Sequence, residues 1–295
     1  MPHDCSDMQR KPERHQMRKA LAPGARNRRL AVAGAAAVIA VSGALVLSGC
    51  GMPAQSAGAF SLVNSGPAAS RVLNPGNGRF EAVVPDMGRT VLLIGDSQSE
   101  PADGWPRLGL SAAGYRVYFC GRGGTGFVSS MGATGNYIDA LMRGDWLLPA
   151  GTPALIVVQG GGNDATNGAS DSDIVTNAER LIGELQRRYP GTPMAMIGTL
   201  ARGENHGGGR RSEVDALLGS VAADHGMPFV SVGDWLTRYG LVKDLADSVH
   251  MNPDGHRALG TLLAGRLREL GLERKPTADD PLLDARTGDA GLGQD

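Results

Sequence analysis

Thr90-Val91-Leu92-Leu93-Ile94-Gly95-Asp96-Ser97 decides the fold of this chain. A short apolar run stops at a glycine, and a polar turn follows. Such a run bounded by turn residues reads as a buried strand. Four more runs have the same character: residues 115–119, 154–158, 194–197 and 229–232.

Helical patterns lie between them. Residues 173–189 repeat apolar side chains at Ile174, Ala178, Leu181, Ile182 and Leu185, and Pro190 ends the pattern. Residues 212–225 do the same with Val214, Leu217, Leu218 and Val221. A last helix carries its own punctuation. Asn252 suits the N-cap, Pro253 the first turn, and Gly271 follows the last apolar residues. Strands alternating with helices predict an α/β fold with a parallel sheet.

The 295 residues suffice for one sizeable domain with extensions, and 41% hydrophobic content allows a normal core. The net charge of -1 hides an asymmetry. Residues 1–49 carry eight Lys/Arg and three Asp/Glu, which leaves 21 and 27, a net of -6, from Cys50 onward. The basic end is a terminal feature, not a nucleic-acid footprint on the folded part.

That basic segment ends at Arg26, Arg28 and Arg29, and an uncharged stretch, residues 30–47, follows. Leu47-Ser48-Gly49-Cys50 comes next. A charged region, an apolar region and small residues before a cut describe a secretory signal. The cysteine after Leu-Ser-Gly resembles the lipobox of bacterial lipoproteins. That resemblance implies a lipidated Cys50 as the mature N-terminus and a domain held to the membrane of the cell envelope, outside the cytoplasm. A retained transmembrane anchor is the alternative, since 18 apolar residues sit at the short edge of a span. Arg28-Arg29 permits twin-arginine export, and Met8 or Met17 could be the true start. Residues 1–49 are thus expected to be a signal peptide, 50–88 a Gly-, Ala- and Pro-rich tether with a few docking residues, 89–271 the folded domain and 272–295 a solvated tail. Cys5 would leave with the signal and Cys50 would be capped, so Cys120 has no disulfide partner and reads as a packing residue.

Four segments could carry chemistry. Ser97 directly follows the first strand, where the free N–H groups of a following helix favour developing negative charge, although an isolated Gly-Asp-Ser also reads as a plain helix cap. Gly121-Arg122-Gly123-Gly124-Thr125-Gly126 follows the second strand and can present amides to an anion. Its glycines match the spacing of a dinucleotide fingerprint, but the residues beyond start a helix poorly and no acidic partner completes that motif. Gly162-Asn163-Asp164 follows the third strand, and an asparagine side chain is a neutral oxyanion donor. As a lone motif it is an ordinary turn. Asp247 and His250 stand three apart before the last helix, spaced so that the carboxylate can orient one ring nitrogen while the other faces a serine. His256 reads as a packing or capping residue, and His206 as no more than a cleft rim. No metal set is apparent. Trp105 and Phe127 could line a cleft or pack.

Taken in order, Gly95-Asp96-Ser97, the glycine loop, Gly162-Asn163-Asp164 and Asp247-Ser248-Val249-His250 resemble the four blocks of the SGNH, or GDSL, hydrolase superfamily. The resemblance spans roughly residues 89–270. It implies a flavodoxin-like three-layer sandwich with a five-stranded parallel sheet of order 2-1-3-4-5, and ester hydrolysis with no cofactor. Its nucleophile falls on Ser97, its base on His250 and its acid on Asp247. Its oxyanion donors fall on the Ser97 amide, a loop glycine (Gly124 is favoured over Gly123) and Asn163. The extra glycines of the second block and Met251 in place of proline depart from the family's pattern. In that strand order, ligands bind beyond the carboxyl ends near the switch point, where Ser97, Gly124 and Asn163 follow strands one, two and three. The expected substrate is a small ester or an acylated envelope glycan. The rival expectations are an O-acyltransferase using the same triad and a non-catalytic glycan-binding lipoprotein.

Overall fold

The computed structural model of the chain describes residues 70–275. The predicted signal segment, Cys50, the first part of the tether and the end of the tail lie outside the described residues.

The elements run in chain order as follows. A hairpin of β1 (Arg71–Asn74) and β2 (Arg79–Ala82) comes first, then β3 (Thr90–Gly95), α1 (Trp105–Ala112), β4 (Arg116–Gly121) and α2 (Tyr137–Arg143). β5 (Leu155–Gln159), α3 (Gly162–Thr166), α4 (Asp171–Arg188), β6 (Met194–Ile197) and α5 (Gly209–Asp224) follow. β7 (Phe229–Val230), α6 (Trp235–Arg238) and α7 (Pro253–Glu269) complete the chain. Five strands form one parallel sheet in the order β4-β3-β5-β6-β7. Counting only the parallel strands, this is the expected 2-1-3-4-5.

Why the central strands are apolar over most of their length is visible in the packing. Successive side chains of a strand point to opposite faces. Leu92, Ile94, Ile156 and Val158 join one core with α2, α4 and α5. Val91, Leu93, Leu155 and Val157 join the other with α1 and α7. With helices on both faces, neither side of β3 meets water. Each fully buried Leu or Ile contributes on the order of 1.5–3 kcal/mol.

The long helices begin where the sequence punctuates them. The Ser170 side chain accepts from the Asp173 amide at the start of α4, and Asn252 accepts from Gly255 at the start of α7, with Pro253 in the first turn. Arg187 and Arg188 close α4, opposite the acidic residues of its first turn, as the helix dipole favours. Among the described residues no helix is long and apolar enough to cross a membrane.

One stretch differs from its reading. Residues 71–82, taken as tether, fold into the antiparallel hairpin β1–β2. Its turn is built from Asn74: the side chain accepts from Gly76, and the carbonyl accepts from Gly78. The hairpin docks on the segment before β5, where the Ala82 amide donates to Leu148 and the Ala150 amide to Ala82.

Candidate active site

β3 delivers Ser97 one residue beyond the turn at Asp96. Asp96 is buried, accepts from the Gln98 amide at 2.9 Å through its side chain, and accepts from the Ser99 and Glu100 amides through its carbonyl. These bonds close a tight turn that leaves Ser97 half-buried at its crest. Gln159, the last residue of β5, ties this turn to the sheet. With its amide nitrogen facing the acceptors, it donates to Ser99 Oγ at 2.6 Å and to Asp96 Oδ1 at 3.3 Å. Burial pushes the Asp96 carboxyl up to about 6, against the pull of these donors and of the Arg211 cation.

His250 arrives from a sequence distance of more than 150 residues. Its Nε2 lies 2.8 Å from Ser97 Oγ, and its Nδ1 lies 2.7 Å from Asp247 Oδ2. The other oxygen of Asp247 accepts from the Val249 and His250 amides at 2.8 and 2.7 Å. A carboxylate that binds amides two and three residues on makes a local turn. Here that turn presents the ring. The same hydrogen bonds, led by the His250 amide, hold the Asp247 carboxyl well below the usual carboxylate range. Gln98 ties this loop to the serine turn: its Nε2 donates to the Val249 carbonyl at 2.9 Å, and its Oε1 accepts from the Trp105 indole at 3.0 Å.

The glycine loop after β4 packs on the serine. A Cβ on Gly123 would lie 3.3 Å from Ser97 Cβ and 2.7 Å from Glu100 Oε2, so the absence of a side chain lets the loop come close to the serine. The Gly123 amide donates to Glu100 at 2.9 Å. The Gly124 and Ser97 amides have no acceptor among the described residues. Backbone N–H groups are nearly always paired, and these two stand in the loops that flank Ser97 Oγ. Asn163 lies in the first turn of α3, and its Nδ2 spends one hydrogen on the Thr125 carbonyl at 2.9 Å. The second hydrogen of that amide is left for a ligand.

Asp164 braces this wall. It is fully buried and accepts from the amides of Phe127, Val128 and Ser129 at 2.8–2.9 Å. A Cβ on Gly126 would fall 2.4 Å from its carboxylate. The loop after the glycines is therefore wrapped around a buried carboxyl group, and the dinucleotide reading has no helix at that point.

The structure thus brings together Ser97, His250, Asp247, Asn163 and the glycine loop. Trp105 and Phe127 do not line the site. Both are fully buried; Trp105 packs near Trp235, and Phe127 meets Tyr137 edge-on. Their size made burial the more favourable outcome. His256 is a capping residue, its Nδ1 accepting from the Trp105 amide at the start of α1. His206 is exposed beside the turn at Gly207. Cys120 is buried, with its thiol pushed up to about 12 by desolvation. Sequence reasoning missed Gln98, Glu100, Gln159 and Asp164. The place of Asp164 next to Asn163 was the one available signal.

The sequence matches the GDSL-like lipase/acylhydrolase family model over residues 93–258. No curated protein matches the chain. Among solved structures, a family two carbohydrate esterase from Clostridium thermocellum, in complex with cellohexaose, is 19% identical, with 67% of this chain and 69% of that chain covered and a TM-score of 0.47. A member of the lipolytic G-D-S-L family from Veillonella parvula is 18% identical, with 60% and 97% covered and a TM-score of 0.47. A carbohydrate acetylesterase from Sinorhizobium meliloti is 17% identical, with 62% and 99% covered and a TM-score of 0.45. The family match takes in the serine turn, the glycine loop, Asn163 and His250, and it covers more than half of the 295 residues. The chain belongs to the GDSL-like lipase/acylhydrolase family.

Proposed function

We propose that this chain is a serine esterase of the cell envelope, lipid-anchored through Cys50, that removes small acyl groups such as O-acetyl from envelope glycans. The observation that carries the reading is the 2.8 Å contact between Ser97 Oγ and His250 Nε2, with Asp247 on the opposite ring nitrogen.

In this reading His250 Nε2 takes the Ser97 hydroxyl proton as Oγ attacks the ester carbonyl carbon. Asp247, an anion throughout, balances the imidazolium that forms. The negative charge on the former carbonyl oxygen meets the Ser97 and Gly124 amides and the Asn163 side chain. The intermediate collapses, the alcohol leaves with the proton from His250, and the acyl group stays on Ser97. Water then gives its proton to His250 and attacks the acyl carbon. The carboxylic acid departs, and the proton returns to Ser97 Oγ.

The openness of the site supports a short acyl group on a bulky alcohol. Asp247 and His250 side chains are 54% and 40% exposed, so a polymer can reach them. Two cavities, of about 780 and 440 Å³, are lined by residues away from Ser97. The envelope location is supported by the basic, apolar and Leu-Ser-Gly-Cys order of residues 10–50.

A fluorophosphonate should label the protein once, on Ser97. Labelling that persists in Ser97→Ala sinks the nucleophile assignment. A folded protein that neither labels nor cleaves acetyl esters favours the non-catalytic reading. Acyl transfer to a glycan hydroxyl in preference to water identifies the transferase reading.

A further inference from the structure

The triad and the hairpin stand at opposite ends of the sheet. Ser97 and Asn163 follow the carboxyl ends of β3 and β5. The hairpin sits at the amino ends: Ala82 bonds Leu148 and Ala150 just ahead of β5, and Glu81 pairs with Arg188 at the end of α4, at 2.8 Å. β5 has five residues, so roughly 17 Å of strand separates the two ends.

The hairpin end has an unusual surface. Phe80 is 60% exposed and Leu73 52%, with Val72, Val83 and Met142 also turned to solvent. Adjacent exposed apolar side chains mark an interaction surface. Cations surround them. Arg71 and Arg79 line a cavity of about 440 Å³ together with Phe80, Arg143 and Arg188. Arg143 is matched by Asp145 and Arg188 by Glu81. Arg79 donates to the carbonyl oxygens of Leu141 and Met142 at the end of α2 and lies within electrostatic reach of Glu184. Two buried donors at the cavity wall, Trp146 Nε1 and Arg188 Nε, have no acceptor. In the hairpin register Arg71, Leu73 and Phe80 share one face, and an aliphatic side chain, an aromatic ring and an arginine on one face are what an anionic lipid surface takes up.

The chain's own layout supplies the occupant. Nineteen residues separate Cys50 from Ser70, which immediately precedes β1. A coil of that length spans about 25 Å root-mean-square. A lipid on Cys50 would hold the bilayer beside the hairpin at high effective concentration, so even a weak face would engage.

We propose that the hairpin end is the membrane-facing end of the domain. Leu73 and Phe80 enter the headgroup boundary, Arg71 meets anionic headgroups, and the triad opens away from the bilayer. This rests on the Cys50 anchor. It deepens the substrate reading, because a site aimed outward takes esters from polymers beyond the membrane and not from lipids of the leaflet that holds it.

The test uses the full lipidated chain in vesicles of phosphatidylglycerol and phosphatidylethanolamine. An environment-sensitive fluorophore is placed at Leu73→Cys or at Asp103→Cys, an exposed position in the loop between Ser97 and α1. Cys120 is buried with a raised thiol and stays unlabelled. Lipid-borne nitroxide should quench the Leu73 probe severalfold and leave the Asp103 probe unchanged. Arg71→Glu with Phe80→Ser should at least halve the quenching while the protein still sediments with vesicles and cleaves a soluble ester at the unmodified rate. If the protein sediments but the Leu73 probe is not quenched, or the Asp103 probe is, the orientation is overturned and the anchor stands. A protein that does not sediment overturns both.

Discussion

Asp247 and His250 are joined twice: one carboxylate oxygen meets the ring Nδ1 at 2.7 Å, and the other accepts the His250 backbone amide at 2.7 Å. The carboxylate therefore sets both the tautomer of the ring and the path of the chain that carries it. In this arrangement Nδ1 keeps its proton, and Nε2 faces Ser97 as an acceptor.

This double role separates two substitutions. Asp247→Asn keeps an oxygen for the Val249 and His250 amides but loses the charge that, in the proposed mechanism, balances the imidazolium. Its kcat should fall about 10²- to 10⁴-fold, with KM nearly unchanged. Asp247→Ala also removes the turn, so its kcat should fall further and KM should rise. Equal kinetics for the two variants would show that the backbone bonds do not position His250.

Asn163 offers a cleaner test of transition-state binding. Its remaining amide hydrogen has nothing to hold in the free protein. Asn163→Ala should therefore lower kcat about 10²- to 10³-fold for an acetyl ester and leave KM within about twofold. Fluorophosphonate labelling should slow in step. A pure KM effect would move Asn163 from the oxyanion to the binding of the alcohol.

Asp164 is expected to act on stability first. Replacing it with alanine leaves three amides, those of Phe127, Val128 and Ser129, without an acceptor. At about 1–3 kcal/mol for each unsatisfied group, the loss is about 3–5 kcal/mol after relaxation. For a domain of this size Tm should drop by roughly 10 °C. Asp164→Asn keeps one acceptor oxygen and should fall between. Thermal unfolding of the three proteins ranks them, and an unchanged Asp164→Ala would refute the brace.

How much of this was legible follows from the kind of signal each part sends. Residues 91–94 and 154–158 are apolar at every position because both sheet faces are covered, so the strands could be read, while their order came only from the family resemblance. α4 and α7 carry caps and periodic apolar faces. The hairpin carries neither: its apolar side chains face solvent, and its turn has the composition of a linker. α1 has only eight residues, with a proline and a glycine among them. In the site, Ser97, Asn163, Asp247 and His250 were visible as residue types after strands. The buried set of Asp96, Gln159 and Asp164 was not, because a single polar residue at a strand end, in a turn or in a five-residue helix gives no periodicity. Gln159 meets Ser99, 60 residues away, and Asp164 meets the Ser129 amide, 35 residues away.

Asp96 gives the pH dependence a sign. Its carboxyl is raised from 3.8 to about 6 in the folded chain, chiefly by burial. Below about pH 4 it is protonated whether folded or not, and it costs nothing. Between pH 4 and 6 the folded protein holds the proton more tightly, so stability declines as pH rises. Above pH 6 the decline is complete, at about 3 kcal/mol for two pKa units. Asp96→Asn removes the charge but keeps an oxygen for the Gln98 amide, and Gln159 can turn its carbonyl toward the new amide nitrogen. The variant should therefore be more stable than the parent at pH 7 and no more stable at pH 4, as measured by urea unfolding at both values. A gain of equal size at both pH values would mean that packing, and not the buried charge, governs this position.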